Sequence, residues 1–388
     1  MDWTRSSEVE GGAVIIPRDW IFLHYYEALN LLFRIENSIR VFAYSVLKTS
    51  LGPAWADANI SSDDSEQGSI QSIGRRRLRQ AKQFGYLGYV SPCPLLYLSM
   101  GELVQLMFSD AYWKHFATHF AGRKEIMKVK LDEIIAIRNS FAHFRPLRED
   151  DIDVIRQNAK HALMDIEVYL SNLTICNDIV PTNTQDSWYK ALKTLGSDHL
   201  SIQLRQSQNF EWIDVTLFFS PPRSSVDANS GWVDVNVVKL DSPAILSEFP
   251  ELKNNIVYLT EGQQRRVSDN FLVYTKRLNF LFKRDALEKA EVEIVGAFQR
   301  MILMLNEEME LLSQDELARG KLLSTVNVFG FKEKDAPGWK MYLEKAESPP
   351  SENDPPEYWG DLGWLGSEFV TKRDKFPWMP SSVSNSSF

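Results

Sequence analysis

The spacing of apolar residues changes period partway along the chain, and that change limits the fold more than any other feature of the sequence. In residues 18–51, Leu23, Ala28, Leu31, Ile35, Ile39, Phe42 and Val46 recur at helical intervals, with Arg34, Glu36 and Arg40 off the stripe. Helical patterns continue through "PLLYLSMGELVQLMFSDAYWKHFATHF" and through residues 124–143. They resume at 147–173, where Glu149, Asp150 and Asp151 open a first turn that favours acids. Beyond "CNDIVPTNTQDS" the period shortens to two. Ile213, Val215 and Leu217 alternate with Asp214 and Thr216, and Val233, Val235 and Val237 with Asp234 and Asn236. With the turn-rich "PPRSSVDANS" between them, these runs predict an antiparallel pair, and "NNIVYLT" a third strand. Helix is expected again from about Val267 to Leu312, on a stripe of Leu287, Ala290, Ile294, Phe298, Ile302, Leu305, Met309 and Leu312.

The fold class expected is therefore mainly α. A leader (1–17) precedes a helical bundle (18–173), and a linker (174–190) leads to an α+β domain (191–330) with a small antiparallel sheet and a long helix. An irregular tail rich in Pro, Ser and Trp (331–388) follows.

Two cysteines, Cys93 and Cys176, support neither a disulfide framework nor a Cys-based metal site. No apolar run approaches the roughly 18 residues of a membrane span. The start, "MDWTRSSEVEGG", lacks the basic and apolar regions of a secretory signal, so a cytoplasmic address away from membranes is expected. A net charge of −9 argues against wholesale coating by nucleic acid. Yet residues 1–173 balance 20 Lys and Arg against 21 Asp and Glu, so a polyanion would prefer that half. Within it, the Ser/Asp-rich "DANISSDDSEQGSIQSIG" leads to a short basic helix, "RRRLRQAKQF". Its Arg75, Arg76, Arg77 and Arg79, with Lys82, are either a solvated face or a grip on RNA phosphates.

Familiar catalytic motifs are missing: the sequence has no GxxxxGK[ST], no GxGxxG after a strand, no HExxH and no GxSxG. His115 and His119, four apart in "KHFATHF", lack a third ligand nearby and are expected as ordinary amphipathic helix residues. No metal and no other cofactor is expected. What remains is "LDEIIAIRNSFAHFRPLREDD". Arg138 and His143 straddle a helix end there, because Pro146 disfavours helical geometry at Arg145. The same spacing recurs at Arg156 and His161, but inside a continuous helix, where five residues turn about 140° and point the side chains apart. Arginine offers a permanently charged fork for a phosphodiester, and imidazole an acid–base group near neutral pH. Together they suffice for metal-free RNA transesterification, which needs a ribose 2′-OH and so excludes DNA. One histidine does both proton transfers poorly, so two facing copies make better chemistry. The plain alternative is a helix end capped by His143, with Arg138 in a surface ion pair.

"ELVQLM…LDEIIAIRNSFAHFRPL" resembles the HEPN superfamily, whose motif is R-x4–6-H, often with Asn directly after Arg. More narrowly, the chain is similar to the HEPN branch found at the end of a eukaryotic transcription-coupled RNA endonuclease and in bacterial stand-alone proteins. "ALNLLFRIENSIRVFAYSVL", "GYLGYVSPCPLLYLSMGELVQLM" and the RNxxxH helix come in that branch's order over residues 18–173. The resemblance implies an all-α bundle that forms a homodimer or larger even assembly, with two motifs in one cleft. It also implies a metal-independent endoribonuclease, often a toxin or antiviral effector. By position, Arg138 and His143 become the catalytic pair, Asn139 a polar helper and Glu36 a supporting acid. Arg145 stands where some HEPN toxins carry a Tyr that a partner nucleotidyltransferase modifies, which puts that route in doubt here. It joins Arg75, Arg76, Arg77 and Arg79 as an RNA-binding candidate. Some HEPN domains are inactive scaffolds, so the alternative is a helical dimerisation or RNA-binding module. Residues 174–388 carry no resemblance; sensing a ligand, holding a protein inhibitor or activator, or building the oligomer are the roles open to them.

Overall fold

The structure is a computed structural model describing residues 8–10, 13–15, 23–60, 68–84, 93–145, 147–174, 176, 184–227, 231–268, 270–314, 319–332, 339–343 and 353–360. The chain divides into two compact units, the first from Met1–Gly74 and Leu95–Ile175, the second from Arg75–Pro94 and Cys176–Leu362.

In the first unit, β1 (Glu8–Glu10) pairs antiparallel with β2 (Ala13–Ile15). Helix α1 (Leu23–Leu51) is followed by β3 (Asn59–Ile60) and β4 (Gly68–Ser69), a short pair at the edges of the Ser/Asp-rich stretch, and by α2 (Ile70–Phe84), whose residues from Arg75 onward belong to the second unit. Then come α3 (Met100–Phe108), α4 (Trp113–Phe116), α5 (Lys124–Ala142) and α6 (Glu149–Thr174). The start of α3 is set locally. Ser99 Oγ accepts from Glu102 N–H while the Glu102 carboxylate accepts from Ser99 N–H, a reciprocal capping box. α3, α4, α5 and α6 pack around α1, so α1 is buried on more than its expected stripe. Ile35, Ile39, Phe42 and Val46 are buried as their spacing requires, but so are Arg34, Glu36 and Lys48.

The second unit begins with α7 (Ser187–Lys193), β5 (Gly196–Ser197), β6 (Leu200–Gln206), β7 (Trp212–Phe219), β8 (Ser224–Ser225) and β9 (Trp232–Leu240). It continues with α8 (Ser242–Glu248), α9 (Pro250–Asn255), β10 (Ile256–Ser268) and β11 (Phe271–Lys283). Helices α10 (Arg284–Lys289) and α11 (Glu291–Ser313) precede β12 (Leu323–Lys332), β13 (Trp339–Leu343) and β14 (Tyr358–Gly360). Seven strands form one sheet in the order β14-β10-β11-β7-β6-β5, with β8 pairing the far part of β11; β13-β12-β9 form another. The α11 stripe is buried as predicted, except for the half-buried Ala290, and covers the sheet face of Leu204, Val215, Leu217 and Phe280. Phe298 meets Phe280 edge-on at 5.2 Å.

These strands overturn the mainly α expectation, since 27% of the structure is strand. Three local readings fail for identifiable reasons. The runs at β7 and β9 do not pair with each other: β7 lies between β6 and β11, and β9 pairs with β12. Period-two alternation fixes which face is buried and says nothing about the neighbour. Residues 271–283 are strand, not helix. Their inward series Leu272, Tyr274, Lys276, Leu278, Phe280, Phe282 is interrupted by a lysine that is itself buried. The tail, lastly, is not wholly irregular, because β14 adds a parallel strand to β10 and buries Trp359 against Tyr258 at 5.3 Å.

Candidate functional site

Helix α5 owes its position to Met127, Leu131 and Ile134, buried at spacings of four and three residues on one face. That leaves its C-terminal turn, with Arg138, Asn139 and His143, at the surface. The helix ends in a Schellman motif. Phe144 N–H donates to Phe141 O at 2.9 Å, and Arg145 N–H to Ser140 O at 3.0 Å. His143 is the C-cap, its N–H on Asn139 O at 3.1 Å. Phe144 takes the left-handed position with φ 55°, where glycine is usual, at a cost of roughly 1 kcal/mol or more for an L side chain. This turn completes the helix end for which the sequence had only Pro146, a residue outside the described ones.

Arg138 Nε donates to Glu36 Oε2 at 3.1 Å, reaching from α5 to α1. The other oxygen of Glu36 takes Arg40 Nη2. Arg40 is fixed in turn: Nε donates to Leu98 O at 3.0 Å and Nη1 to Asn37 Oδ1 at 2.8 Å. Glu36 is buried, whereas the Arg138 side chain is 32% exposed. One buried carboxylate thus holds two guanidiniums. Asn139 Oδ1 is 3.5 Å from Arg138 Nη1, a long contact. The His143 ring is exposed, and among the described residues it hydrogen-bonds to nothing, Arg138 included. Arg145 is exposed two residues on.

Three of the proposed catalytic residues, Glu36, Arg138 and Asn139, are therefore joined by contacts, and His143 stands on the same helix end without joining them. Arg75, Arg76 and Arg79 are exposed on α2, and Arg77 is half-buried, around the buried Leu78 and Ala81; the Lys82 side chain lies outside the described residues. The second R-x4-H pair separates as expected. Arg156 bonds to Asp153 at 3.1 Å, and His161 Nδ1 lies 3.2 Å from Lys130 Nζ. His115 and His119 do not share one α-helical face, because α4 stops at Phe116 and a 3-10 turn, Ala117–His119, follows. Burial, with Lys114 adding to it, holds the His115 imidazole below its ordinary value. The His119 ring packs edge-on against Phe42 and Tyr169.

Two residues of this site were not legible as functional. Arg40 looked like a solvent-facing charge, and only its four-residue spacing from Glu36 hinted at a pair. Phe144 carried no signal, because a Schellman turn normally announces itself by glycine. Compared with models of known protein families, with curated proteins and with solved structures, the chain matches none. The likeness to HEPN domains therefore rests on the quoted residues alone.

Proposed function

We propose that the chain is a metal-independent endoribonuclease working at the C-terminal end of α5, in the cytoplasm, as a toxin or antiviral effector. The observation that carries this reading is an exposed imidazole at the helix end, unpartnered among the described residues, one turn beyond an arginine braced by a buried carboxylate. His143 takes the proton of a ribose 2′-OH. The 2′ oxygen attacks the adjacent phosphorus, and the 5′ oxygen leaves with a proton from a second imidazole, giving a 2′,3′-cyclic phosphate and a 5′-OH end. Arg138 faces the charge that builds on the phosphate oxygens, Glu36 and Arg40 hold it in place, and Asn139 offers a polar contact. Arg145 holds a neighbouring phosphate, and the α2 arginines 75, 76, 77 and 79 are separate candidates for RNA binding. The defence role comes from the resemblance only.

A second reading has its own support. Arg138 already spends its Nε on Glu36 and makes no bond to His143, which suits an inactive dimerisation or RNA-binding module. Cleavage of a labelled single-stranded RNA in excess EDTA separates the two. The ribonuclease reading expects His143→Ala and Arg138→Ala each to lower the rate by about 100-fold or more. His143→Ala should keep the wild-type melt within about 1 kcal/mol, and Arg138→Ala, which takes one of two guanidiniums from the buried Glu36, should cost about 1–3 kcal/mol and still fold. Arg156→Ala and His161→Ala should cleave at the wild-type rate. Equal cleavage by wild type and His143→Ala, or a strict requirement for added divalent ion, decides for the module.

A further inference from the structure

Phe144 is a residue that the helix end does not require where it stands. Glycine fills that position of a Schellman turn without strain, yet the chain places a phenylalanine there with φ 55° and 83% exposure. Among the described residues its ring meets no other ring. An aromatic side chain kept against local backbone preference and in water points to the surface it makes.

The surroundings say what that surface fits. Exposed His143 precedes the ring, exposed Arg145 follows it, and exposed Asn139 lies one turn back. This setting is polar and cationic, unlike the dry apolar surround of an aromatic anchor between proteins. A flat ring beside a guanidinium suits a nucleotide, whose base stacks while its phosphate meets the charge. We propose that Phe144 is the stacking platform for an unpaired RNA base next to the scissile phosphate, holding the strand between His143 and Arg145. This inference rests on the ribonuclease reading of the same site. Every base has a π face, so the platform tolerates sequence; a base already stacked in a duplex cannot use it. The substrate is therefore single-stranded RNA.

The test uses the full chain with Phe144→Gly, Phe144→Leu and Phe144→Trp, and a short fluorescein-labelled 2′-O-methyl oligouridylate. That probe lacks the attacking hydroxyl, so binding is read apart from chemistry. Phe144→Gly and Phe144→Leu should bind roughly tenfold more weakly than wild type, and Phe144→Trp should hold wild-type affinity. Phe144→Gly should melt no lower than wild type, because it relieves the positive φ, and should sediment as the same assembly. Wild-type affinity in the Gly and Leu variants, or no binding of the probe by wild type, overturns the platform. Loss of assembly in Phe144→Gly, with assembly kept in Phe144→Leu, makes Phe144 an anchor between copies and overturns it as well. Failure of the parent reading shows elsewhere, as unchanged cleavage of ordinary RNA by His143→Ala.

Discussion

Asp214 shows how far one side chain can depart from the role its neighbours suggest. Its place in an alternating run put it on the wet face of a strand, yet it is buried, beside the equally buried Thr216. Arg205 Nη2 donates to Asp214 Oδ2 at 3.0 Å, and Thr216 Oγ1 donates to Asp214 Oδ1 at 3.2 Å. Burial outweighs these contacts and a pull from Arg277, pushing the carboxyl from 3.8 up to about 6. The same carboxylate, after burial itself, helps to raise the Cys176 thiol, which is thus kept from being a reactive thiolate. The sign for stability follows from proton counting. Between the unfolded and folded values the native state holds a proton that the unfolded chain has released, so stability falls as pH rises from about 4 to about 6 and levels off above. The expected size is on the order of 1–3 kcal/mol. Urea melts of wild type and Asp214→Asn across that range check it. The wild type should lose stability relative to the variant as pH rises, and parallel pH curves would show that Asp214 carries no such linkage.

Among the secondary-structure elements, legibility depended on whether burial followed the apolar pattern alone. Helices α5 and α6 could be read nearly to their ends, and α11 declared its buried stripe, because apolar spacing set their packing. Strand β11 could not be read, because Lys276 fills an inward slot. Its ammonium is held by Glu261 at 2.9 Å and Leu240 O at 2.8 Å, partners distant in sequence. At the candidate site the helix end was legible and Glu36 entered only through the resemblance, whereas Arg40 beside Glu36 showed only as a four-residue spacing and Phe144 in the left-handed position carried no signal in the sequence. The link between α11 and β12 depends on a similar hidden contact. Buried Glu308 accepts Lys321 N–H at 2.8 Å, Leu322 N–H at 3.1 Å and Leu323 N–H at 2.8 Å. A Cβ on Gly320 would collide with that carboxylate. Gly320→Ala should therefore cost about 1–3 kcal/mol, by forcing the carboxylate off these backbone donors. A thermal melt checks this, and an unchanged midpoint would mean that the carboxylate moves aside freely.

For the whole molecule, the ribonuclease proposal raises the question whether one copy of the site suffices. In-line transesterification needs one group to take the 2′-OH proton and another to protonate the leaving oxygen. One chain supplies a single His143, with no second imidazole bonded near it among the described residues and Arg138 turned toward Glu36. A second copy related by a two-fold axis would supply the missing acid and a second guanidinium, and such pairing is the commonest way for identical chains to associate. The α5 surface suits it. Ile126 and Val129 are 51% and 58% exposed, and with Glu133 and Ala136 they form an outward stripe that runs on to Asn139 and His143. Two α5 helices packed along this stripe would bury the apolar residues and bring the two helix ends into one cleft. The expected active species is accordingly a homodimer or larger even assembly. Mixing wild-type chains with tagged His143→Ala chains and isolating the heterodimer tests this. Because each composite site needs both imidazoles, the heterodimer should fall far below half of wild-type activity, and Ile126→Lys with Val129→Lys should shift the protein to monomers and abolish cleavage. Half activity in the heterodimer, or full activity in a monomer by sedimentation, would establish that each chain cleaves alone.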